Sequence, residues 1–174
     1  NDKRREDSKA EPTAKVAEDT DDHLVPYENH PYTHRRRLQE GDFQPIRIMF
    51  DVQQLENQRD VLNAAKIDLL IGTLLPEAAG FWSQALSVIP VSGNLPISAA
   101  QLVNGQFCGS TDFARVPEDH LSDGIPDTDL VIYISAANAT QLCEAETWGT
   151  GISCNYDQFD RPTAGAINIC LEQL

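Results

Sequence analysis

Lysine and arginine are scarce over most of this 174-residue chain: positions 43 to 174 hold five of them against sixteen acids. That shortage excludes nucleic acid as a partner, because neutralising phosphates takes clustered cations. Long apolar runs are absent too. The longest, Leu69 to Leu75, is far short of the roughly 20 residues a bilayer-spanning helix needs. No leader is visible, but the chain begins at Asn1, as a processed or excerpted product would, so secretion stays open. No C-x-x-C occurs, which excludes a zinc ribbon. Ser98 and Ser135 lack a G-x-S-x-G context, so a serine triad around His120 has no support. Asp123, Asp127 and Asp129 flank Gly124 and Pro126 without the spacing of an EF-hand loop, and read as a solvated acidic turn.

What is present points to an oxidising compartment. Cys108, Cys143, Cys154 and Cys170 are an even number in a loop-rich half, as a disulfide framework would have. Four reduced, buried thiols are the alternative. Asn138-Ala139-Thr140 is an N-glycosylation sequon that leans the same way. The expected location is extracellular or at the cell surface.

Residues 1–42 are charged, with few large apolar groups, and are expected to be a disordered arm. Arg35-Arg36-Arg37 has the form of a processing site that ends a pro-segment, or else of a solvated basic patch. Residues 43–174 are enough for one folded unit. Alternation of Ile46, Ile48, Phe50 and Val52 with Arg47, Met49 and Asp51 predicts a strand from Gln44, with Pro45 at its start. Asn57 and Asp60 offer a cap and a first-turn acid for a helix running to Gln84.

Polar groups of that helix form one narrow stripe, through Asn63, Lys66, Thr73, Glu77 and Gln84. Most of its remaining surface is expected to be covered. Pro76 should bend it, and Asp68, opposite the stripe, needs a partner or a gap in the cover. Ala85 to Val91 reads as a second strand. Ile97 to Phe107 is ambiguous around the hairpin signal Asn104-Gly105. Leu130 to Ser135 reads as a central strand buried on both faces, and Ala164 to Ile169 as the last strand. The fold class is therefore α/β or α+β, a mixed twisted sheet with a long proline-bent helix packed on it.

Four blocks carry a resemblance in combination: L-L-P-E-A at 74–78, F-C-G at 107–109 followed by V-P-E-D-H at 116–120, L-V-I-Y-I-S at 130–135, and R-P-T-A-G-A-I-N-I-C at 161–170. Together they resemble the leishmanolysin family of zinc endopeptidases, a metzincin family, from about Pro45 to Cys170. The resemblance implies the N-terminal part of a peptidase domain, acting on peptide or protein substrates. It makes Ala164, Gly165, Ala166, Ile167, Asn168 and Ile169 a sheet edge to which extended substrate adds as a strand, with Gly165 allowing close backbone approach. It also implies a disulfide from Cys108 to Cys154, leaving Cys143 with Cys170.

The same family binds zinc through a helical H-E-x-x-H motif that would follow this segment, and residues 1 to 174 contain none. No catalytic residue and no metal ligand is therefore assigned here; zinc is implied for the full-length family protein only. His30 and His34 are the one i, i+4 pair, but Pro31 lies between them and no Glu does. His120 falls in a family block that supplies no ligand, so a structural role is expected. Family pro-segments usually carry a latency cysteine, but no Cys precedes residue 108, so either latency works differently or the relevant segment is absent from this sequence. Two functions compete. One is a partial zinc metalloendopeptidase that supplies scaffold and substrate edge and is inactive alone, with one apolar face of its sheet left open. The other is a non-catalytic, disulfide-stabilised surface module for binding or adhesion.

Overall fold

The computed structural model describes residues 42–57, 59, 62–136, 142–144 and 146–174. Arg35–Arg37, the His30/His34 pair, Asp60 and Asn138 therefore lie outside the described residues, as does the expected arm apart from Asp42. The elements in chain order are β1 (Gln44–Pro45), β2 (Ile48–Asp51), α1 (Gln53–Asn57), α2 (Ala64–Leu69), a π-helical turn (Leu70–Leu74), α3 (Leu75–Ala85), β3 (Ser87–Val88), α4 (Glu118–Ser122), β4 (Leu130–Ser135), β5 (Gly149–Tyr156) and β6 (Pro162–Ile169). The content is mixed α and β, as expected.

The main sheet runs β2-β4-β6-β5, and β1 pairs with β3 in a separate two-stranded ribbon. Strands β2, β4 and β6 are parallel, with β5 antiparallel to β6. Met49, Val131, Tyr133, Ala164 and Ala166 pack with Leu95, Ile97, Phe113, Val116 and Ile125 of the loop-rich stretch between β3 and β4. Ile132, Ile134, Ile167 and Ile169 pack instead with Leu55, Ile67, Ile71 and Leu75 of the helices. With both faces covered, β4 needs apolar side chains at nearly every position, which its L-V-I-Y-I-S sequence provides.

Three local expectations are corrected. The predicted strand from Gln44 splits in two, because Arg47 turns its N–H to the Asp129 carboxylate (3.0 Å) while its carbonyl accepts from Asp129 N–H (2.9 Å). The strand expected over Ala85–Val91 shrinks to Ser87–Val88; Pro90 has no N–H to give, and the Val91 N–H goes to Asp129 (2.6 Å). The long helix starts later than predicted, since the side chain of Asn63, not Asn57, caps it by accepting from Lys66 N–H.

Pro76 sits in the first turn of α3, directly after the π turn, where Leu75 N–H reaches back five residues to the Leu70 carbonyl. The helix continues through the proline, with the wider turn placed just ahead of it. Asp68 finds its partner in Arg59. The helix is less covered than its composition suggests. Ile67, Leu70 and Leu75 are buried, while Leu69, Phe81 and Trp82 are exposed, Phe81 by 64%. Only the strip facing the sheet is covered.

Candidate functional site at the outer edge of the sheet

Strand β6 is interior. Val131 to Ser135 pair along one side of Ala164 to Asn168, and β5 pairs along the other, from Gly149 opposite Ile169 to Asn155 opposite Ala164. The expectation that Ala164, Gly165, Ala166, Ile167, Asn168 and Ile169 form the sheet edge is thus corrected: β6 is paired on both sides from Ala164 to Asn168, and Ile169 is paired with β5. Gly165 does permit a close backbone approach, but from β5. A Cβ there would stand 2.9 Å from the Ile152 carbonyl oxygen. Asn168, fully buried, accepts from the Ser135 hydroxyl at 3.0 Å.

Among the described residues the edge on this side is β5, eight residues long and with β6 as its one neighbour in the sheet. The sequence reading missed this strand, because Gly149, Gly151 and Asn155 weaken strand propensity. A signal was present in Trp148, Thr150 and Ile152, which alternate before a turn at Asp157–Asp160. There the Asp157 carboxylate accepts from Phe159 N–H (2.8 Å) and Arg161 N–H (3.0 Å), and Asp160 takes φ 58.

Several contacts fix β5. The Cys108–Cys154 disulfide joins it to the loop before α4, and Cys143–Cys170 joins the chain ahead of it to the end of β6. The Asn155 side chain accepts from Ser98 N–H (2.9 Å) and donates to the Thr163 hydroxyl (2.7 Å). Beyond it, the Gln101 carboxamide accepts from Tyr156 N–H (2.7 Å) and donates to the Tyr156 carbonyl (3.2 Å). Gln101 had no distinguishing mark in the sequence; its role is visible only once the short 3₁₀ turn Ala99–Gln101 is placed beside β5. Between this turn and the strand lies an open groove of about 420 Å³, lined by Gln101, Val103, Gly109, Ile152, Ser153 and Tyr156.

Titratable groups away from this edge are engaged structurally. His120 is 8% exposed, and its Nδ1 lies 3.2 Å from the Tyr133 hydroxyl. Burial, with lesser contributions from the Asp51 and Asp119 charges, pushes the Tyr133 phenol well above its ordinary range. Burial also raises the Asp51 carboxyl, opposed by the Gln53 N–H and by His120. The solvated acidic turn needs correcting at one position. Asp127 is exposed, but Asp129 is 1% exposed and holds Arg47 at Nε (2.9 Å) and at a terminal nitrogen (2.8 Å). Burial would raise the Asp129 carboxyl, yet bonds from the Arg47 side chain and from the Val91 and Arg47 N–H groups hold it below the ordinary range.

The family model for leishmanolysin matches residues 39–174. This chain belongs to the leishmanolysin family. A leishmanolysin-like peptidase of Caenorhabditis elegans is 29% identical over an alignment of 197 positions, covering 84% of this chain and 28% of that protein. A leishmanolysin homolog of Crithidia fasciculata is 30% identical over 110 positions (63% of this chain, 15% of that protein), and the leishmanolysin of Leishmania major 31% over 110 (63% and 17%). The chain thus spans less than a third of the length of these relatives. Each is named for leishmanolysin, so the adhesion-module reading gains no support.

Leishmanolysin membership implies zinc for the full-length protein, and the described residues do not fit it. Their one histidine, His120, is committed to Tyr133, and all four cysteines are in disulfides. Among the described residues, no three His, Cys, Asp or Glu side chains gather as a metal site, and no helix is long and apolar enough to cross a membrane. The two disulfides and the leishmanolysin membership are consistent with an extracellular or surface location.

Proposed function

We propose that this chain is the sheet-bearing part of a leishmanolysin-type zinc endopeptidase domain, and that β5 is the shelf to which an extended substrate adds as a further strand. One observation carries the reading: among the described residues, β5 is a long antiparallel strand paired in the sheet only with β6. An edge of this kind offers N–H and C=O groups that bind a peptide backbone while reading little of its sequence. The substrate role first expected for residues 164–169 moves one strand outward, and β6 becomes the strand that holds the shelf in place. Zinc and the carboxylate that activates water belong, in this reading, to a segment outside residues 42–174. No step of hydrolysis is assigned to the described side chains. Secretion, a glycan on Asn138 and cleavage at Arg35–Arg37 complete the proposal, supported by the disulfides and by the sequence itself.

The test is a titration of the disulfide-bonded chain with a blocked peptide, acetyl-Leu-Thr-Val-Thr-Val-amide, followed by amide chemical shifts. Shifts should concentrate at Gly149–Ser153, and N-methylation of alternate peptide nitrogens should weaken binding about tenfold or more, since each removes a ladder bond. Shifts at the outer edge of β2 instead, or none, would overturn the shelf. The chain alone is expected to leave casein intact with zinc added. Cleavage that zinc restores and a chelator abolishes would overturn the division of labour.

A further inference from the structure

We propose that Gln101 ends the peptide-adding edge, and that the groove beside it selects an uncharged apolar side chain on the first peptide residue able to pair. This rests on the reading of β5 as a substrate shelf and says where that pairing stops and what it prefers. The pair of bonds from the Gln101 carboxamide to the Tyr156 N–H and carbonyl is the two-bond exchange that a residue of an added antiparallel strand would make. Gln101 thus occupies the position a peptide residue would take. Its own N–H donates to the Ser98 carbonyl (3.0 Å), and Ser98 N–H donates to Asn155, so the carboxamide is held against β5 from a structured turn. A peptide adding antiparallel runs from the Tyr156 end toward Gly149, and this stop fixes its N-terminal limit.

The groove lies at that limit. None of its lining residues is charged. Ile152, which lines it, is seated on Gly109, where φ is +85° and a Cβ would come within 2.4 Å of the Ile152 side chain. Only glycine lets that isoleucine lie down and leave the groove open. Charge argues against one alternative, an acidic side chain. All five Lys and Arg side chains after residue 43 already face an acid or a backbone carbonyl, while sixteen acids occupy the same stretch. An acidic side chain would meet an unfavourable field with no free cation among residues 43–174, whereas an aliphatic or aromatic one gains by leaving water.

Blocked pentapeptides with Leu, Phe, Ser or Asp ahead of a constant Thr-Val-Thr-Val, titrated against the disulfide-bonded chain, test this. Leu and Phe should bind about tenfold tighter than Ser, the worth of burying one apolar side chain, and Asp weakest. Val103→Glu, at a partly exposed site, should bring the Leu peptide down to the Ser level without moving the Ser peptide. Gln101→Ala should let a peptide lengthened by one N-terminal residue gain affinity that it does not gain on the unaltered chain. Equal affinity across the four peptides, or no gain with Gln101→Ala, overturns the inference while the shelf stands. If no peptide binds, shelf and inference fall together.

Discussion

The Asp129 carboxylate grips Arg47 with both oxygens, one at Nε (2.9 Å) and one at a terminal nitrogen (2.8 Å), and takes the Arg47 and Val91 N–H groups as well. Four donors on one buried carboxylate tie together the starts of β2 and β4 and the segment after β3. Asp129→Asn keeps the shape but turns part of an acceptor into a donor facing Arg47. Breaking a fully buried pair costs about 3–5 kcal/mol; Arg47 is about a third exposed, so roughly 2–3 kcal/mol is expected, read as a lower urea midpoint at unchanged slope.

The same carboxylate sets an acid-side sensitivity. Its folded pKa is held below the unfolded value, so its contribution is present above that unfolded value, about 3.9, and lost as pH falls through the folded one. The gap in unfolding free energy between the unaltered chain and Asp129→Asn should therefore be widest near neutrality and narrow below about pH 4. A gap independent of pH would show that the ionised carboxylate is not what matters.

Asp51 should behave with the opposite sign. Burial raises its carboxyl, so its favourable contribution is present below the unfolded pKa and is lost as pH rises through the folded one. Asp51→Asn, which can still accept from Gln53 N–H, should raise the melting temperature at pH 7 and change it little at pH 3. Destabilisation at pH 7 would mean that the charge is used.

The sequence made β4 legible because a strand covered on both faces needs an apolar residue at nearly every position, and L-V-I-Y-I-S has no other economical reading. It also marked the proline-bearing helix, though not its cap. Edge and interior were confused for a physical reason. Which strand ends a sheet depends on pairings between distant segments, and β5, with Gly149, Gly151 and Asn155, carried too weak a strand signal to be counted. Gln101 was invisible for a related reason: its function lies in a contact across 55 residues, and glutamine in a short turn has no distinguishing pattern. Asp129 looked like one more acid in a polar turn until Arg47, 82 positions away, closed on it.

Gly165 offers a test of the strand order. Where the space is open, Gly→Ala in a strand stabilises by about 0.4–1 kcal/mol through the unfolded state. At Gly165 the new Cβ would stand 2.9 Å from a backbone oxygen of β5, which cannot move without loosening the pairing. Gly165→Ala should therefore destabilise, by roughly 1–3 kcal/mol as overpacking does, and should speed amide exchange in β5 more than in β2. Stabilisation would mean that β5 does not approach β6 as described.

The two disulfides should part company under mild reduction. Closing loops of 46 and 27 residues constrains the unfolded chain by about 4 and about 3.5 kcal/mol respectively, too similar to separate them. Access differs far more. Cys108 and Cys154 are both buried in the core, the latter from β5 itself, whereas Cys143 is only half-buried. A thiolate must reach a sulfur in line to exchange, so limited reductant should open Cys143–Cys170 first and leave a folded species with one bridge. Cys108–Cys154 should open only with global unfolding, because its sulfurs are reached only when the packing over them is lost. Timed alkylation and peptide mapping would read the order, and simultaneous loss of both bridges would show that the β5 anchor is no better protected than the loop ahead of it.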